Sequence, residues 1–306
     1  MVEHRFGGDH TELKLDVLGS YLNFYCNALK NQRFETWYID GFAGTGFRQQ
    51  TQMTGGIFEN APIALQENTL LGSASIALNV EPPFDHYRFV EAHGPRRAAL
   101  QGLCDANPTK ECLVQGGDAN ECIRRILNEP PWSQHRDDWK QRAVVFLDPY
   151  GMGVKWQTLK VLAESERADV WYLFNVKAVN QQMARDSERI DSSKFLALQE
   201  QFGTDDWQAA FYRSMPDQGG LFEAARPSST KVATPEQISH FMRARLSTLF
   251  RYVSEPLPLT VGSMERYFEL YCLSNSDSPQ AISLIKKGVT DIIKKRAPDR
   301  HRQDRP

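Results

Sequence analysis

The sequence is poor in several features that mark specialised classes of protein. Its 306 residues include five cysteines, an odd number that argues for free thiols rather than a disulfide framework. Seven and nine residues separate Cys104, Cys112 and Cys122, unlike the short C-x2–4-C spacing of closed zinc sites. The seven histidines show no ligand spacing either. We therefore expect no bound metal, and cysteines that pack as small hydrophobic side chains.

Long apolar runs and an excess of charge of one sign are also missing. The longest runs, Ala143–Leu147 and Val170–Phe174, are too short to span a bilayer. The first ten residues, MVEHRFGGDH, have no apolar core, so the sequence predicts no signal peptide and a soluble, cytoplasmic protein. The 36 Lys and Arg against 38 Asp and Glu exclude a globally basic nucleic-acid binder, but leave a local basic patch open.

What the sequence does contain is an alternation of strands and helices. Leucines and aromatic residues recur at three and four along 11–30, which predicts an amphipathic helix. The runs that follow are almost continuously apolar, as is typical of strands covered on both faces. The alternation predicts an α/β, Rossmann-like fold with a doubly wound, mostly parallel sheet. The predicted strands are Thr36–Ile39, Tyr87–Val90, Cys112–Gln115, Ala143–Leu147 and Asp169–Phe174, with helices over Pro95–Leu103, Ala119–Leu127 and Trp156–Glu164.

Two regions interrupt this alternation. Residues 47–86 are rich in Gly and Pro, and we interpret them as an irregular insertion in which only Ala61–Asn68 is helical. Residues 176–247 are polar, and 180–246 predict a helical insertion, which is too long for a simple crossover.

The end of the chain predicts the closing elements of the sheet. Leu249–Ser254 and Arg266–Leu273 indicate two antiparallel strands, joined by a loop containing Pro256, Pro258 and Gly262. We therefore divide the chain into a first core part (1–175), a helical insertion (176–247), a closing hairpin with the last helix Pro279–Ile293 (248–293) and a basic, disordered tail (294–306).

Acidic residues follow four of the predicted strands. Ligands of open α/β sheets bind at the carboxyl ends of the strands, so the residues at these positions are candidates for function. The four acids are Asp40, Glu91, Asp118 and Asp148; the fifth strand ends in Asn175, which we interpret as a turn residue.

The first strand leads into the glycine-rich turn DGFAGTG, residues 40–46. A nicotinamide-binding fold would instead have G-x-G-x-x-G directly after its first strand. Asp40 would repel a dinucleotide pyrophosphate, but not a cationic cofactor without phosphates. Gly44 and Gly46 would let the backbone approach that cofactor closely, because they have no Cβ.

This turn resembles the turn of class I S-adenosylmethionine (SAM) methyltransferases, in particular those that methylate exocyclic amines of nucleobases. The resemblance implies that Asp40 holds the cofactor's amino group, Glu91 its ribose hydroxyls and Asp118 its adenine amine. It also implies an antiparallel last strand. The implied cofactor-binding residues are Asp40, Gly41, Phe42, Ala43, Gly44, Gly46, Glu91 and Asp118.

Asp148-Pro149-Tyr150 stands where these enzymes have a substrate motif, D/N-P-P-Y/F, and we take the three residues as the catalytic candidates. The resemblance implies that the polar side chain and a proline carbonyl accept hydrogen bonds from the target amine while the aromatic ring stacks on the base. Here a single proline is followed by Tyr150 and Gly151. The D-P-F/Y-G form is similar to that of certain tRNA guanine N2-methyltransferases.

A narrower resemblance covers residues 11–175 and 265–290. KLDVLGSYLNFY, YIDGFAGTG, FLDPYG and YCLSNSDSPQAISLIKK are similar to segments of the three-Cys-motif partner (TcmP) family. That family implies a methyltransferase-like fold and a partner protein that carries the three-cysteine motif. Its cysteines belong to the partner and give no role to those of this chain.

The local pattern leaves other interpretations open. Glu91 and Asp118 could cap the helices that follow them, and Asp148-Pro149 could be only a rigid turn. An active methyltransferase and a binding module that works through a partner both agree with the sequence. A nucleobase, a protein or peptide and a small molecule all remain open as methyl acceptor, and the oligomeric state is undetermined.

Overall fold

A computed structural model describes residues 9–56, 61–133, 140–214 and 229–296. The helices are α1 (Asp9–Leu29), α2 (Ser73–Leu78), α3 (Gly94–Asp105), α4 (Ala119–Asn128), α5 (Trp156–Ser165), α6 (Val176–Gln182), α7 (Ser192–Phe202), α8 (Trp207–Phe211), α9 (Pro235–Leu246) and α10 (Pro279–Arg296). The strands are β1 (Glu35–Asp40), β2 (Phe47–Gly56), β3 (Ala61–Leu71), β4 (His86–Val90), β5 (Glu111–Gln115), β6 (Gln141–Leu147), β7 (Ala168–Phe174), β8 (Tyr212–Ser214), β9 (Ser229–Lys231), β10 (Tyr252–Val253), β11 (Leu257–Val261) and β12 (Met264–Ser274).

The fold is mixed α/β, with a mostly parallel central sheet and an antiparallel last strand, which confirms the predicted class. The chain forms two compact units. The first comprises the chain up to Phe146 together with α10, and the second comprises Leu147–Ser278.

The first unit contains four parallel strands in the order β6, β1, β4, β5. Five of the six β1 residues are buried, which explains why the strand is a nearly continuous apolar run. The register places Asp40, the last residue of β1, beside Phe89 of β4 and Phe146 of β6. The carboxyl ends of these strands therefore meet at one edge of the sheet.

Helix α1 packs its apolar face against this unit. Leu18, Tyr21 and Leu22 have no exposed surface. The ring of Tyr25 lies 5.9 Å from that of Phe84, which in turn lies 5.7 Å from Tyr38 of β1. The predicted helix over 11–30 is thus confirmed, and aromatic contacts connect it to the sheet.

The segment after β1 corrects the sequence analysis. The described residues between 47 and 86 are not an irregular insertion, and Ala61–Asn68 is not a helix. Strands β2 and β3 instead form a two-stranded antiparallel ribbon, which α2 follows. The Ala, Leu, Gln and Glu of 61–68 favour a helix by intrinsic propensity, but cross-strand pairing overrides it. Because the two strands pair each other's backbone N–H and C=O groups, neither needs the apolar run of a central strand.

In the second unit the long strand β12 pairs with three others. It runs antiparallel to β7 from Ser274 opposite Asp169 to Glu269 opposite Phe174. Both β10 and β11 also pair with β12. The predicted loop around Pro256, Pro258 and Gly262 is therefore wrong in part, because β11 occupies most of it. Pro258 has no N–H to donate, which suits a strand that pairs on one side.

The predicted insertion contains helices α6 to α9 and the short ribbon β8–β9. The rings of Phe202, Phe211 and Phe241 lie 5.0–5.8 Å apart and form its aromatic centre. Glu269 of β12 is fully buried and accepts hydrogen bonds from Ser239 of α9 at 2.7 Å and Tyr271 at 2.5 Å. Burial and the neighbouring carboxylate raise the pKa of Tyr271 well above its ordinary value, so the phenol remains a donor. The last helix reaches Arg296, and residues 297–306 of the predicted tail lie outside the described residues.

Candidate cofactor site

The turn 40–46 is fixed by backbone hydrogen bonds at the carboxyl edge of the first unit's sheet. The Gly41 amide donates to the Phe146 carbonyl and the Ala43 amide to the Val90 carbonyl, each at 3.0 Å. The Gly46 carbonyl accepts from the Ser75 hydroxyl at 2.5 Å. The turn is thus attached to β6, β4 and α2, and its course is set before any ligand arrives.

The two glycines of the turn have different physical reasons to be glycine. Both have positive φ, +64° at Gly44 and +77° at Gly46, a region that L-residues with a Cβ rarely adopt. A Cβ at Gly44 would meet no atom within 4 Å, so this side of the turn is open. A Cβ at Gly46 would overlap Cδ2 of Leu103 on α3. Close packing therefore explains Gly46, whereas open space lies beside Gly44.

Asp40 has no exposed surface. Its carboxylate accepts from the backbone N–H of Phe42 at 3.0 Å and from the Tyr38 hydroxyl at 3.2 Å. The ring of Phe42 packs against a buried cluster that includes Val90 and Cys122. These contacts orient a carboxylate at the end of β1, where an ammonium group could bind it.

Glu91 follows β4 and is almost buried, with 9% of its surface exposed. Its Oε1 accepts the backbone N–H of His93, the residue before α3, at 2.8 Å. This contact is the helix-capping alternative that the sequence left open. Among the described residues Oε2 has no hydrogen-bond partner. A carboxylate has acceptor sites on both oxygens, so Glu91 can serve the helix and still accept from a ligand.

Asp118 is exposed and caps α4. Its Oδ1 accepts from the backbone N–H of Glu121 at 3.1 Å, and the amide of Asn120 lies 3.5 Å from Oδ2. The capping alternative is therefore present here as well. Binding of adenine by Asp118 stays a prediction. It would have to use the acceptor sites of this carboxylate that the cap of α4 leaves available.

Gln115, the last residue of β5, is a further candidate that the motifs of the sequence do not indicate. Its Oε1 is buried and has no hydrogen-bond partner in the described structure, although buried polar atoms are nearly always paired. The Gln115 carbonyl accepts from the Glu91 amide at 3.0 Å, which places the residue at the same edge of the sheet. Its position at a strand end, before Gly116 and Gly117, is the signal that could have identified it.

The structure places Asp148-Pro149-Tyr150 directly after β6, at the start of the second unit. Pro149 is buried, whereas Tyr150 is 81% exposed. Gly151 follows with a φ of +62°, so the segment is a tight turn that presents a large aromatic side chain to solvent. Asn175 caps α6 by accepting from the Ala178 amide at 2.9 Å, in agreement with its interpretation as a turn residue.

All five cysteines are free, and all except the half-buried Cys112 are buried. The thiols of Cys104 and Cys112 hydrogen-bond to each other, which raises the pKa of Cys104 and lowers that of Cys112. Within the described ranges, no group of three or more His, Cys, Asp or Glu side chains could hold a metal ion. No helix in the described part of the chain has the length and apolar composition needed to cross a bilayer.

No protein-family model and no curated protein matches the chain. Several solved structures are similar at low identity. Protein LPL1258 from Legionella pneumophila is 13% identical, with 94% of each chain covered and a TM-score of 0.47. An S-adenosylmethionine-dependent methyltransferase from Clostridium acetobutylicum is 9% identical over 83% of this chain and 91% of the other, with a TM-score of 0.34. The bifunctional kinase-methyltransferase WbdD is 12% identical over 85% and 61%, with a TM-score of 0.32. Likeness at this level says nothing about activity.

Proposed function

We propose that the chain is a SAM-dependent methyltransferase. The observation that carries the proposal is the edge of the first unit's sheet, where a preformed turn with open space beside Gly44 begins at the buried Asp40 and hydrogen-bonds to Val90, the residue before the almost buried Glu91. The cofactor is a cation with an ammonium group, two ribose hydroxyls and an adenine. Asp40 and Glu91 offer acceptors for the first two groups, and the unpaired Oε1 of Gln115 offers one for the adenine amine.

The protein has few chemical tasks in this reaction. When bound, SAM supplies a methyl group already activated by its positively charged sulfur. The residues therefore need only position the acceptor and stabilise the charge that develops on it. Asp40 and Glu91 would fix the cofactor's amino group and its ribose without moving a proton.

We propose an exocyclic amine of a nucleobase as the methyl acceptor. The support is the turn after β6, where a carboxylate, a proline carbonyl and an exposed ring are consecutive. Asp148 would accept one N–H of the amine and offset its developing charge, and the Pro149 carbonyl would accept the other. The ring of Tyr150 would stack on the base, which suits a flipped or single-stranded nucleotide.

Calorimetry with S-adenosylhomocysteine tests the cofactor. Wild-type protein should bind it, and Glu91→Ala should bind at least about tenfold more weakly, because hydrogen bonds to charged groups contribute roughly 1.5–3 kcal/mol each. Glu121→Ala, which removes an exposed acid from α4, is the matched control and should bind like wild type. Binding of NAD without S-adenosylhomocysteine would refute the proposal.

The methyl acceptor requires a separate experiment. Mass spectrometry of nucleic acid and proteome, from cells with and without the gene, would identify the methylated product. With that substrate, Asp148→Ala should abolish turnover and leave S-adenosylhomocysteine binding nearly unchanged. A new methyl group on carbon, sulfur or a carboxylate would show that the role given to Asp148 is wrong, even for an active methyltransferase.

The resemblance to the TcmP family leads to a further part of the proposal, a partner that carries a three-cysteine motif. Co-expression of this chain with the protein encoded beside its gene, followed by affinity purification, tests it. A chain that binds SAM but turns nothing over, with or without that neighbour, would favour the binding module over the enzyme.

A further inference from the structure

Two of the five thiols contact each other in the first unit. Cys104 lies in the last turn of α3, and Cys112 is the second residue of β5. Their side chains are hydrogen-bonded to each other. Cys104 has only 5% of its surface exposed, whereas Cys112 is half-buried. The contact therefore joins a shielded sulfur to one that a small solute can reach.

A short, hydrogen-bonded connection holds the two thiols together. Helix α3 packs against β5, and seven residues separate the two cysteines. The Asn107 amide donates to the Cys104 carbonyl at 2.9 Å, and the Lys110 amide donates to the Asn107 carbonyl at 3.0 Å. The Asn107 side chain also donates to the Leu103 carbonyl at 2.9 Å. These consecutive turns fix the path from helix to strand, so the two thiols are held near each other by the backbone.

The surroundings make the two thiols chemically different. The hydrogen bond between them raises the pKa of Cys104, and burial raises it further. The same hydrogen bond lowers the pKa of Cys112, and the positive charges of Lys110 and Arg88 lower it as well, in spite of partial burial. A thiolate is the nucleophilic form of cysteine. Cys112 is therefore the member of the pair that reacts first, with the Cys104 thiol beside it.

From these contacts we infer that Cys104 and Cys112 are an oxidation site, at which a hydroperoxide converts the two thiols into an intramolecular disulfide. A disulfide needs two sulfurs that can reach bonding distance without movement of the backbone, and thiols that already contact each other are close to this arrangement. The bond would join the end of α3, where Leu103 lies against Gly46, to β5, which ends at Gln115. Oxidation of these thiols does not depend on the proposed function.

Atoms and electrons balance in two steps. The Cys112 thiolate attacks one oxygen of hydrogen peroxide, and the O–O bond breaks. A sulfenic acid forms, and the departing hydroxide takes up the proton that the thiol had lost and becomes water. The Cys104 sulfur then attacks the Cys112 sulfur. The S–S bond forms, the S–O bond breaks, and the Cys104 proton leaves with the oxygen as a second water. The two thiols lose two electrons, and one peroxide is reduced to two waters.

Peptide mapping of the full chain tests for the bond. The protein is treated with a small excess of hydrogen peroxide, its remaining thiols are alkylated, and it is digested with trypsin without reductant. Cys104 lies in the tryptic peptide 98–110 and Cys112 in the peptide 111–124. The two peptides should be recovered joined, with a mass two hydrogens below their sum, and dithiothreitol should separate them.

The chain offers a matched control, because the peptide 111–124 also contains Cys122. This cysteine is buried in α4, and its thiol donates to the Gly116 carbonyl at 3.8 Å. Cys122→Ser should therefore give the same joined peptides as wild type. Cys104→Ser and Cys112→Ser should each lose them.

A sulfenic-acid trap tests the order of the two steps. In Cys104→Ser the hydroxyl can still donate to Cys112, but no second thiol is present to displace the oxygen. Cys112 should therefore accumulate as the sulfenic acid after peroxide treatment and react with dimedone. In Cys112→Ser the buried Cys104 should remain unlabelled. Circular dichroism shows whether each variant is folded, and Cys104→Ala or Cys112→Ala replaces a serine variant that is not.

Each result of these experiments decides something. Peptides that stay separate in wild type, at a peroxide dose that oxidises free glutathione, would overturn the inference. Joined peptides that persist in Cys112→Ser, or disappear in Cys122→Ser, would assign the bond to Cys122 and overturn it too. Dimedone labelling of Cys104 instead of Cys112 would refute the order of attack. Binding of S-adenosylhomocysteine is measured separately, so failure of the cofactor proposal leaves these outcomes unchanged, and the reverse also holds.

Discussion

The two glycines of the 40–46 turn provide the most direct test of the site, because the structure gives them different roles. An alanine at Gly44 must adopt a φ of +64° but meets no neighbour. The left-handed conformation costs about 1–2 kcal/mol for a residue with a Cβ. An alanine at Gly46 has the same backbone penalty, and its methyl also overlaps Leu103. Overpacking adds about 1–3 kcal/mol, so Gly46→Ala should lose about 2–5 kcal/mol in total.

Two measurements separate these effects. Urea denaturation gives the free energy of unfolding, and calorimetry gives the affinity for S-adenosylhomocysteine. Gly44→Ala should lose no more than about 2 kcal/mol of stability, yet bind the ligand at least about tenfold more weakly, because the methyl enters the open space beside the turn. Gly46→Ala should be clearly the less stable of the two. Equal stabilities, or a Gly44→Ala variant that binds like wild type, would refute this account of the turn.

Three further predictions concern the rest of the first unit. Asp118→Ala should lose about 1 kcal/mol of stability as α4 loses its cap, whereas Asp118→Asn should keep the cap; unequal loss of S-adenosylhomocysteine affinity between the two would reveal a separate contact of the charge with the ligand. Burial opposes ionisation of Glu111, but hydrogen bonds from Arg88 and His86 outweigh this effect and lower the pKa of Glu111. The ionised Glu111 side chain therefore stabilises the protein fully above its ordinary pKa, and this stabilisation is lost as the pH falls through the lowered pKa. Glu111→Gln should therefore flatten the acid side of the stability curve, and an unchanged curve would contradict that assignment. Iodoacetamide should modify Cys112 before Cys26, whose pKa burial raises to about 12; peptide mapping with Cys112→Ser as control would show the order, and earlier labelling of Cys26 would contradict it.

The elements that the sequence predicted correctly are those whose burial produces a local signal. β1, β4 and β6 lie in the sheet, so their apolar runs are visible in a short window. Helix α1 shows its buried face as a regular recurrence of leucines. In these elements local pattern and tertiary environment agree, and the predicted bounds differ from the observed ones by a residue or two.

The errors occur in strands whose pairing partner lies outside the short stretch of sequence from which each element is predicted. Strands β2 and β3 are specified by each other, and a segment such as Ala61–Asn68 retains helix-forming residues although it is a strand. Strand β11 contains Pro258 and is followed by Gly262, two residues that normally argue against a strand. It forms because β12 extends alongside it. The burial of Lys14 is likewise not predictable from its residue type, because a lysine gives no local sign that its helix face is buried.

The candidate site shows why a structural role and a binding role need not compete. Glu91 and Asp118 both make the local contacts that the capping alternative requires, yet they differ in what remains available. Glu91 uses one oxygen for the His93 amide and is almost buried, so its second oxygen is a desolvated acceptor at a fixed position. Asp118 is exposed, and water can satisfy whatever its cap contact leaves open. A hydrogen bond from a ligand therefore gains more at Glu91 than at Asp118, because it replaces less water. Burial, rather than the presence of an acid at a strand end, ranks the candidates for cofactor binding, and it places Asp40 and Glu91 ahead of Asp118.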